Sequence, residues 1–268
     1  MTASRDTPSP IICVQSLPAI GVAGLKAVLP VLGEHAIPVP SVILSGFGSH
    51  PRTRRFAAPL ADNLEAVAAR LADEGQSAVL HVGYLAGPDQ IDEIRDLLDR
   101  HRSVFTWLSV DPVCGDGGRL YVDAAMPAAW LRLLRTADLA FPNPTEVQFL
   151  ARTLGDGDPV GLSGEAAAQQ RLAAWAPDCR WLFTSAPVGE GFGVRMRRGA
   201  AVRDYPHEER PVQVPGTGDF FAAQVLKTRF VRGAAWPAAV RAAIAATLKA
   251  IGPVGGVHPR QLRLSGEG

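Results

Sequence analysis

The sequence predicts an α/β protein: a mostly parallel central sheet with helices on both faces, three layers in all. Three observations carry this. Short strand-length apolar runs alternate along the chain with longer segments of helical spacing, the order that βαβ units produce. The first run, IICVQS at 11–16, is apolar throughout and turns polar only at its end, as a parallel strand buried on both faces does. Finally, 268 residues with 47% hydrophobic and 20% charged side chains allow a sizeable core, and no linker, composition shift or internal repeat divides them. The expectation is a disordered lead-in over 1–10 and one domain over 11–268.

Taken in order, the strand at 11–16 is followed by a helix in GVAGLKAVLPVLGEHA. There Val22, Leu25, Val28, Leu29 and Leu32 lie near helical spacing, and Pro30 marks a kink. IPVPSVILSG (37–46) is a second strand, and the polar Gly/Arg-rich stretch to Arg55 is a loop with the composition of a flap. Helices are expected at 59–74, 88–101 and 126–137, and strands at 77–85 and 104–113. DLAFPNPTEVQFLA (138–151) reads as a short strand, a loop and a helix starting near Pro144. A helix at 163–176, a strand at 180–186, two short strands turning at Arg198-Gly199, and helices at 218–231 and 236–251 complete the chain.

Bulk properties exclude several classes. A formal net charge of +1 is not the electrostatic footprint of a nucleic-acid binder. The basic runs Arg52–Arg55 and Arg195–Arg198 lack interleaved aromatics and read as solvated faces. Cys13, Cys114 and Cys179 are too scattered for a disulfide framework or a zinc site, which points to a reducing cytoplasm. The N-terminus lacks the apolar core of a secretory signal, and no run approaches the ~20 apolar residues of a membrane span.

Ligands of open α/β sheets bind beyond the carboxyl ends of the strands. The polar residues expected there are Gln15 and Ser16, Ser45 and Gly46, Gly83 and Tyr84, Asp111 with CGDGG, Asn143 with Glu146, Thr184 with Ser185, and GTGD at 216–219. Asp111 ends an apolar strand, where a carboxylate caps a turn or organises Mg²⁺ or phosphate. Asn143 and Glu146 have capping-box spacing around Pro144, and the same pair suits the water shell of Mg²⁺. In VPGTGDFFAA, Gly216 and Gly218 let successive N–H groups converge at the positive end of a helix. Such a cradle stabilises charge on a transferring phosphoryl group, and Asp219 beside it is placed to take a proton from an attacking hydroxyl. No GxxxxGK[ST] is present, and GTGD stands too late in the chain to be a dinucleotide fingerprint.

The chain resembles the ribokinase-like (PfkB) kinases, and within them the vitamin-kinase branch, pyridoxal kinases foremost. Six segments in order carry the likeness over roughly 11–251: IICVQS, VLPVLGEHAIPVPSVILS, VGYLAGPDQI, DPVCGDGGRLYV, ADLAFPNPTEVQFL and GTGD. The resemblance implies a ribokinase-like α/β/α fold and transfer of the ATP γ-phosphoryl group to a hydroxymethyl group of a vitamin B6-type substrate. By position, Asp219 would be the base and the amides of Gly216, Thr217 and Gly218 the anion hole. Asp111, Asn143 and Glu146 would lie on the Mg²⁺-phosphate side, with Asp111 and Glu146 serving the metal through water. Thr184 would border the nucleotide, and Ser16 and Ser41 the pyridine substrate. The family is often homodimeric and uses Mg²⁺, often with a monovalent cation such as K⁺; no nucleic-acid or membrane partner is implied. The chain departs at the acceptor end, where Ile20-Gly21-Val22-Ala23-Gly24-Leu25 stands for the usual Tyr-Gly-His-x-Gly-Asn. Hydroxymethylpyrimidine kinases and a non-catalytic ligand-binding homologue are the alternatives.

Overall fold

The computed structural model describes residues 9–46, 52–155, 164–210 and 214–252, with Leu262 and Leu264. Most of the expected lead-in and the tip of the 46–55 loop lie outside the described residues.

Five strands form the parallel body of the sheet: β1 (Ile11–Pro18), β2 (Ala36–Leu44), β4 (Ala78–Val82), β5 (Phe105–Val110) and β8 (Leu139–Ala140). Three join them at the edges: β3 (Arg55–Ala57) at one, and β10 (Gly191–Arg198) with β11 (Ala201–His207) at the other; β9 (Arg180–Val188) lies between β8 and β10. The order across the sheet is β11-β10-β9-β8-β5-β4-β1-β2-β3. β9 runs parallel to β8, while β10, β11 and β3 are antiparallel to their neighbours. A separate hairpin pairs β6 (Gly115–Asp116) with β7 (Arg119–Leu120).

Alternate residues of each inner strand feed two cores, because successive side chains point to opposite faces. Ile12, Val14, Leu80 and Val110 pack with α2 (Leu60–Asp73), α3 (Asp89–Arg100), α4 (Met126–Leu134), α5 (Pro144–Thr153) and α6 (Glu165–Trp175). Ile11, Cys13 and Val79 pack on the other face with α1 (Leu25–Leu32), α7 (Thr217–Leu226) and α8 (Trp236–Ile251). These are the three expected layers. Pro30 sits inside α1.

The departures are local. The expected helix at 218–231 stops as an α-helix at Leu226 and continues as a π-helical turn over Lys227–Val231. The expected helix at 126–137 ends at Leu134. β3 and the β6–β7 hairpin occupy stretches expected as loops. No helix among the described residues is long and apolar enough to cross a membrane.

The chain passes from β1 to β2 on one side and then to β4 on the other. The order therefore reverses at β1/β4, and the crevice outside their carboxyl ends is where such sheets bind ligands.

Candidate active site

Asp219 lies in the first turn of α7, and Gly216 is its N-cap with φ 84°, a left-handed conformation. A Cβ on Gly216 would collide with the Val22 carbonyl, so the turn packs backbone against backbone on the 20–25 segment. That segment supplies a contact no side-chain pattern announces: the Gly24 N–H donates to Asp219 Oδ2 at 2.8 Å. Gly24 itself has φ 54°, and a Cβ there would collide with the Ser16 carbonyl. Both glycines are thus needed to close the chain around the carboxylate. The half-buried Asp219 side chain is desolvated, which pushes its carboxyl up from 3.8 to about 6; bonds from Gly24 and the Gln15 side chain oppose the rise.

Within the cradle, the Val214 carbonyl accepts from both Thr217 Oγ1 (2.6 Å) and Thr217 N (3.3 Å). The amides of Gly216 and Gly218 make no hydrogen bond among the described residues. A Cβ on Gly218 would lie 3.8 Å from Asp111 Oδ2, so the α7 entrance opens directly on Asp111.

Asp111 follows β5, its N–H tied to the Val82 carbonyl at 2.8 Å. It is 6% exposed, and among the described residues no group donates to its carboxylate. Burial, and then the Asp219 charge, push its carboxyl well above the ordinary range. Glu146, 2% exposed, is raised in the same way by burial and then by Asp111. Unlike Asp111 it is fully engaged: Oε1 accepts Cys114 N at 3.2 Å and Oε2 accepts Asn143 N at 2.8 Å. Asn143 Oδ1 accepts Glu146 N in return at 3.0 Å, completing the expected capping box, and Asn143 Nδ2 donates to the Gly115 carbonyl at 2.9 Å. The half-exposed Tyr121 stands near these acids; burial first, then Glu146, Asp111, Asp219 and Asp116, raise its phenol.

Asn143→Ala removes both the cap and the tie to the β6–β7 hairpin. The expected loss is about 1–2 kcal/mol of unfolding free energy, measured by urea denaturation.

Thr184 lies within β9 rather than after a strand. Its N–H donates to the Pro142 carbonyl at 3.1 Å, which places it beside the Asn143 loop. Next to it Ser185 adopts φ 52°, where the pairing of β9 with β10 slips between Gly193 and Arg195. Ser16 and Ser41 are both buried. The Ser41 hydroxyl donates to the Tyr84 carbonyl, and the Ser41 carbonyl accepts from Gln90 Nε2 at 2.8 Å. At the base of the expected flap, Ser45 and Arg54 exchange two hydrogen bonds at 3.0 and 2.8 Å, and Arg55 interacts with the Tyr84 side chain.

The structure thus gathers Asp111, Asn143, Glu146, Gly216, Thr217, Gly218 and Asp219 at one sheet edge, with Thr184 beside the Asn143 loop. Among the described residues no group of three or more His, Cys, Asp or Glu side chains is arranged to hold a metal alone. A cation here would draw further ligands from water and bound phosphate, as Mg²⁺ commonly does. Residues that side-chain reasoning passes over are Gly24, whose contribution is a backbone amide, and His81, a polar residue in the middle of an apolar strand.

No family model matches the chain. A Schizosaccharomyces pombe protein provisionally named a pyridoxal kinase is 30% identical over 156 residues, 54% of this chain and 49% of that protein. The match therefore spans about half the length of that relative. A Bacteroides thetaiotaomicron protein, provisionally named a phosphomethylpyrimidine kinase, superposes with a TM-score of 0.73 at 25% identity, over 93% of this chain and 88% of its own. One of its crystal forms contains pyridoxal. Pyridoxal kinase from Entamoeba histolytica superposes with a TM-score of 0.76 at 19% identity, over 96% and 93% of the two chains. These likenesses give the chain the mostly parallel three-layer α/β fold seen in the pyridoxal kinases.

Proposed function

We propose that the chain is an ATP-dependent kinase that phosphorylates the hydroxymethyl group of a vitamin B6-type substrate. One observation carries the reading. A carboxylate with its proton affinity raised to about 6 stands in the first turn of α7, behind a left-handed glycine turn, at the switch point of the sheet. Phosphoryl transfer asks for that combination: positioning, charge stabilisation and a base for the hydroxyl proton. The names of the similar proteins support the substrate class.

In this reading Asp219 accepts the hydroxyl proton as oxygen attacks the γ-phosphorus. The amides of Gly216 and Gly218, at the positive end of α7, face the charge on the transferring group, and the Thr217 amide joins them on leaving its 3.3 Å bond to the Val214 carbonyl. Thr184 and Asn143 border the nucleotide, and Ser16 and Ser41 the acceptor. Asp111 suits Mg²⁺ because its buried carboxylate has no donor among the described residues and a neighbouring acid raises its cost. Glu146, with both oxygens bonded to amides, would serve the ion through water. When bound, Mg²⁺ neutralises phosphate charge. A monovalent cation such as K⁺ and a homodimer, the latter measurable by light scattering, belong to the same reading.

A second reading, a hydroxymethylpyrimidine kinase, is favoured by the apolar acceptor-end segment Leu17–Leu25 and by the Bacteroides neighbour. Turnover of ATP with Mg²⁺ over pyridoxal, pyridoxamine and hydroxymethylpyrimidine separates the two. The expected result is phosphorylation with highest kcat/KM for a B6 vitamer. A preference for the pyrimidine selects the second reading. Nucleotide binding without turnover on any acceptor selects a non-catalytic homologue.

A further inference from the structure

Three polar side chains cross the centre of the sheet where apolar ones would suffice for folding. Gln15 on β1 and His81 on β4 are each 0% exposed, and Ser109 on β5 is 1% exposed. Gln15 Oε1 accepts the Tyr84 N–H at 3.0 Å. A backbone N–H can only donate, so this bond fixes the carboxamide orientation and leaves Nε2, a pure donor, facing the other way. Gln15 Nε2 lies 3.3 Å from His81 Nε2, which must therefore be the unprotonated nitrogen. The His81 proton is then on Nδ1, donated to Ser109 Oγ at 3.0 Å. The Gln15 side chain also favours the ionised form of the Asp219 carboxylate as a hydrogen-bond partner, a part that only its remaining amide proton can play. Gly83 leaves the room for this: a Cβ there would collide with the Gln15 carboxamide. The Phe141 ring closes the edge of His81 at 6.2 Å between centroids.

We propose that Gln15 and His81 are positioning residues for Asp219: a fixed chain Ser109–His81–Gln15 across β5, β4 and β1 presents an amide N–H that, with Gly24 N–H, aims the carboxylate. The inference rests on the reading of Asp219 as the base. Burial holds His81 neutral by lowering its basicity to about 4, so the direction of the chain persists across the physiological range. A buried, fully directed network of this kind is costly when half satisfied and specifies geometry when complete.

The test has two arms. In the kinetic arm, His81→Leu and Gln15→Leu are expected to lower kcat about 10- to 100-fold with KM for ATP within about twofold, the signature of a misaimed base. His81→Gln places an amide oxygen where Nε2 accepts and should retain a rate within about threefold of wild type. Unchanged kcat in both leucine variants, with an active parent, overturns the proposal. The second arm needs no turnover and is read on the intact chain by nitrogen-15 NMR. His81 should show a protonated Nδ1 and an unprotonated Nε2, and the Gln15 side-chain amide resonance should move in Asp219→Ala. A protonated Nε2, or an unmoved Gln15 amide, overturns the proposal even where variants fail to fold. A parent inactive on every acceptor refutes the kinase reading instead, and the NMR arm still decides the chain.

Discussion

Asp219→Asn is expected to lower kcat by about 100- to 10,000-fold, the range assignable to a positioned general base, while the protein stays folded. In the parent, kcat/KM should fall as pH drops through about 6, because burial lifts the Asp219 carboxyl to that value and only the ionised form accepts a proton. An ordinary carboxylate would place the limb near 4. The stability consequence has the opposite sign from that of a salt-bridged acid. The native pKa lies above the unfolded value, so the native state binds the proton more tightly. The cost of holding the ionised group is absent below about 4, grows between 4 and 6, and is complete above 6. The span from 3.8 to about 6 corresponds to about 3 kcal/mol as an upper figure. Asp219→Asn should therefore raise the Tm at pH 8 and lose that gain at pH 4, as measured by calorimetry at both pH values. A variant that kept its activity, or was less stable at pH 8, would contradict the placement of a strained carboxylate here.

The second large effect is expected at Gly24. Alanine there must adopt φ 54° and drive a methyl group into the Ser16 carbonyl. Either strain is relieved only by moving the segment that donates the Gly24 N–H to Asp219. The expected loss is about 2–4 kcal/mol of stability, with kcat reduced in the fraction that remains folded. Gly33→Ala is the internal control. Its φ of 60° and ψ of −134° impose a similar backbone penalty, but no atom lies within 4 Å of the added methyl, so it should lower stability by about 1–3 kcal/mol and leave kcat unchanged. Equal kcat losses at the two positions would show that backbone strain alone, and not the contact with Asp219, is being measured.

The sheet and most helices were legible because each buried strand is a short apolar run and each helix has an apolar stripe at helical spacing. IICVQS, FTWLSV and RWLFTSA are strands in the structure as in the sequence. What escaped has little local signal. β3 and the β6–β7 hairpin are two or three residues long in polar stretches, formed by pairing rather than by propensity. The π-helical turn at Lys227–Val231 continues the apolar pattern of α7 and shows only in its hydrogen bonds. The same division holds in the site. Asp111, Glu146 and Asp219 could be read because carboxylates at strand ends and helix entrances interrupt apolar surroundings. The Gly24 amide could not, since a backbone donor leaves no mark on residue type. His81 sits inside SAVLHVGYL, and only the tertiary pairing of β1 with β4 reveals what its ring touches.

The altered 20–25 segment acquires a positive role from this geometry. Its side chains differ from those usual in pyridoxal kinases, yet Gly24 reaches the carboxylate through its backbone, a contact that tolerates changes in neighbouring side chains. On the proposed reading, the segment can therefore alter the acceptor pocket while keeping Asp219 in place.

Phosphorus-31 NMR of the reaction with pyridoxal follows the proposed transfer of a phosphoryl group from ATP to the oxygen of a hydroxymethyl group. The expected result is a new phosphomonoester resonance coupled to the methylene protons of the acceptor, growing in step with ADP and absent in Asp219→Asn. Release of inorganic phosphate with ADP and no ester on pyridoxal, pyridoxamine or hydroxymethylpyrimidine, or an ester that still forms at the parent rate in Asp219→Asn, would contradict it.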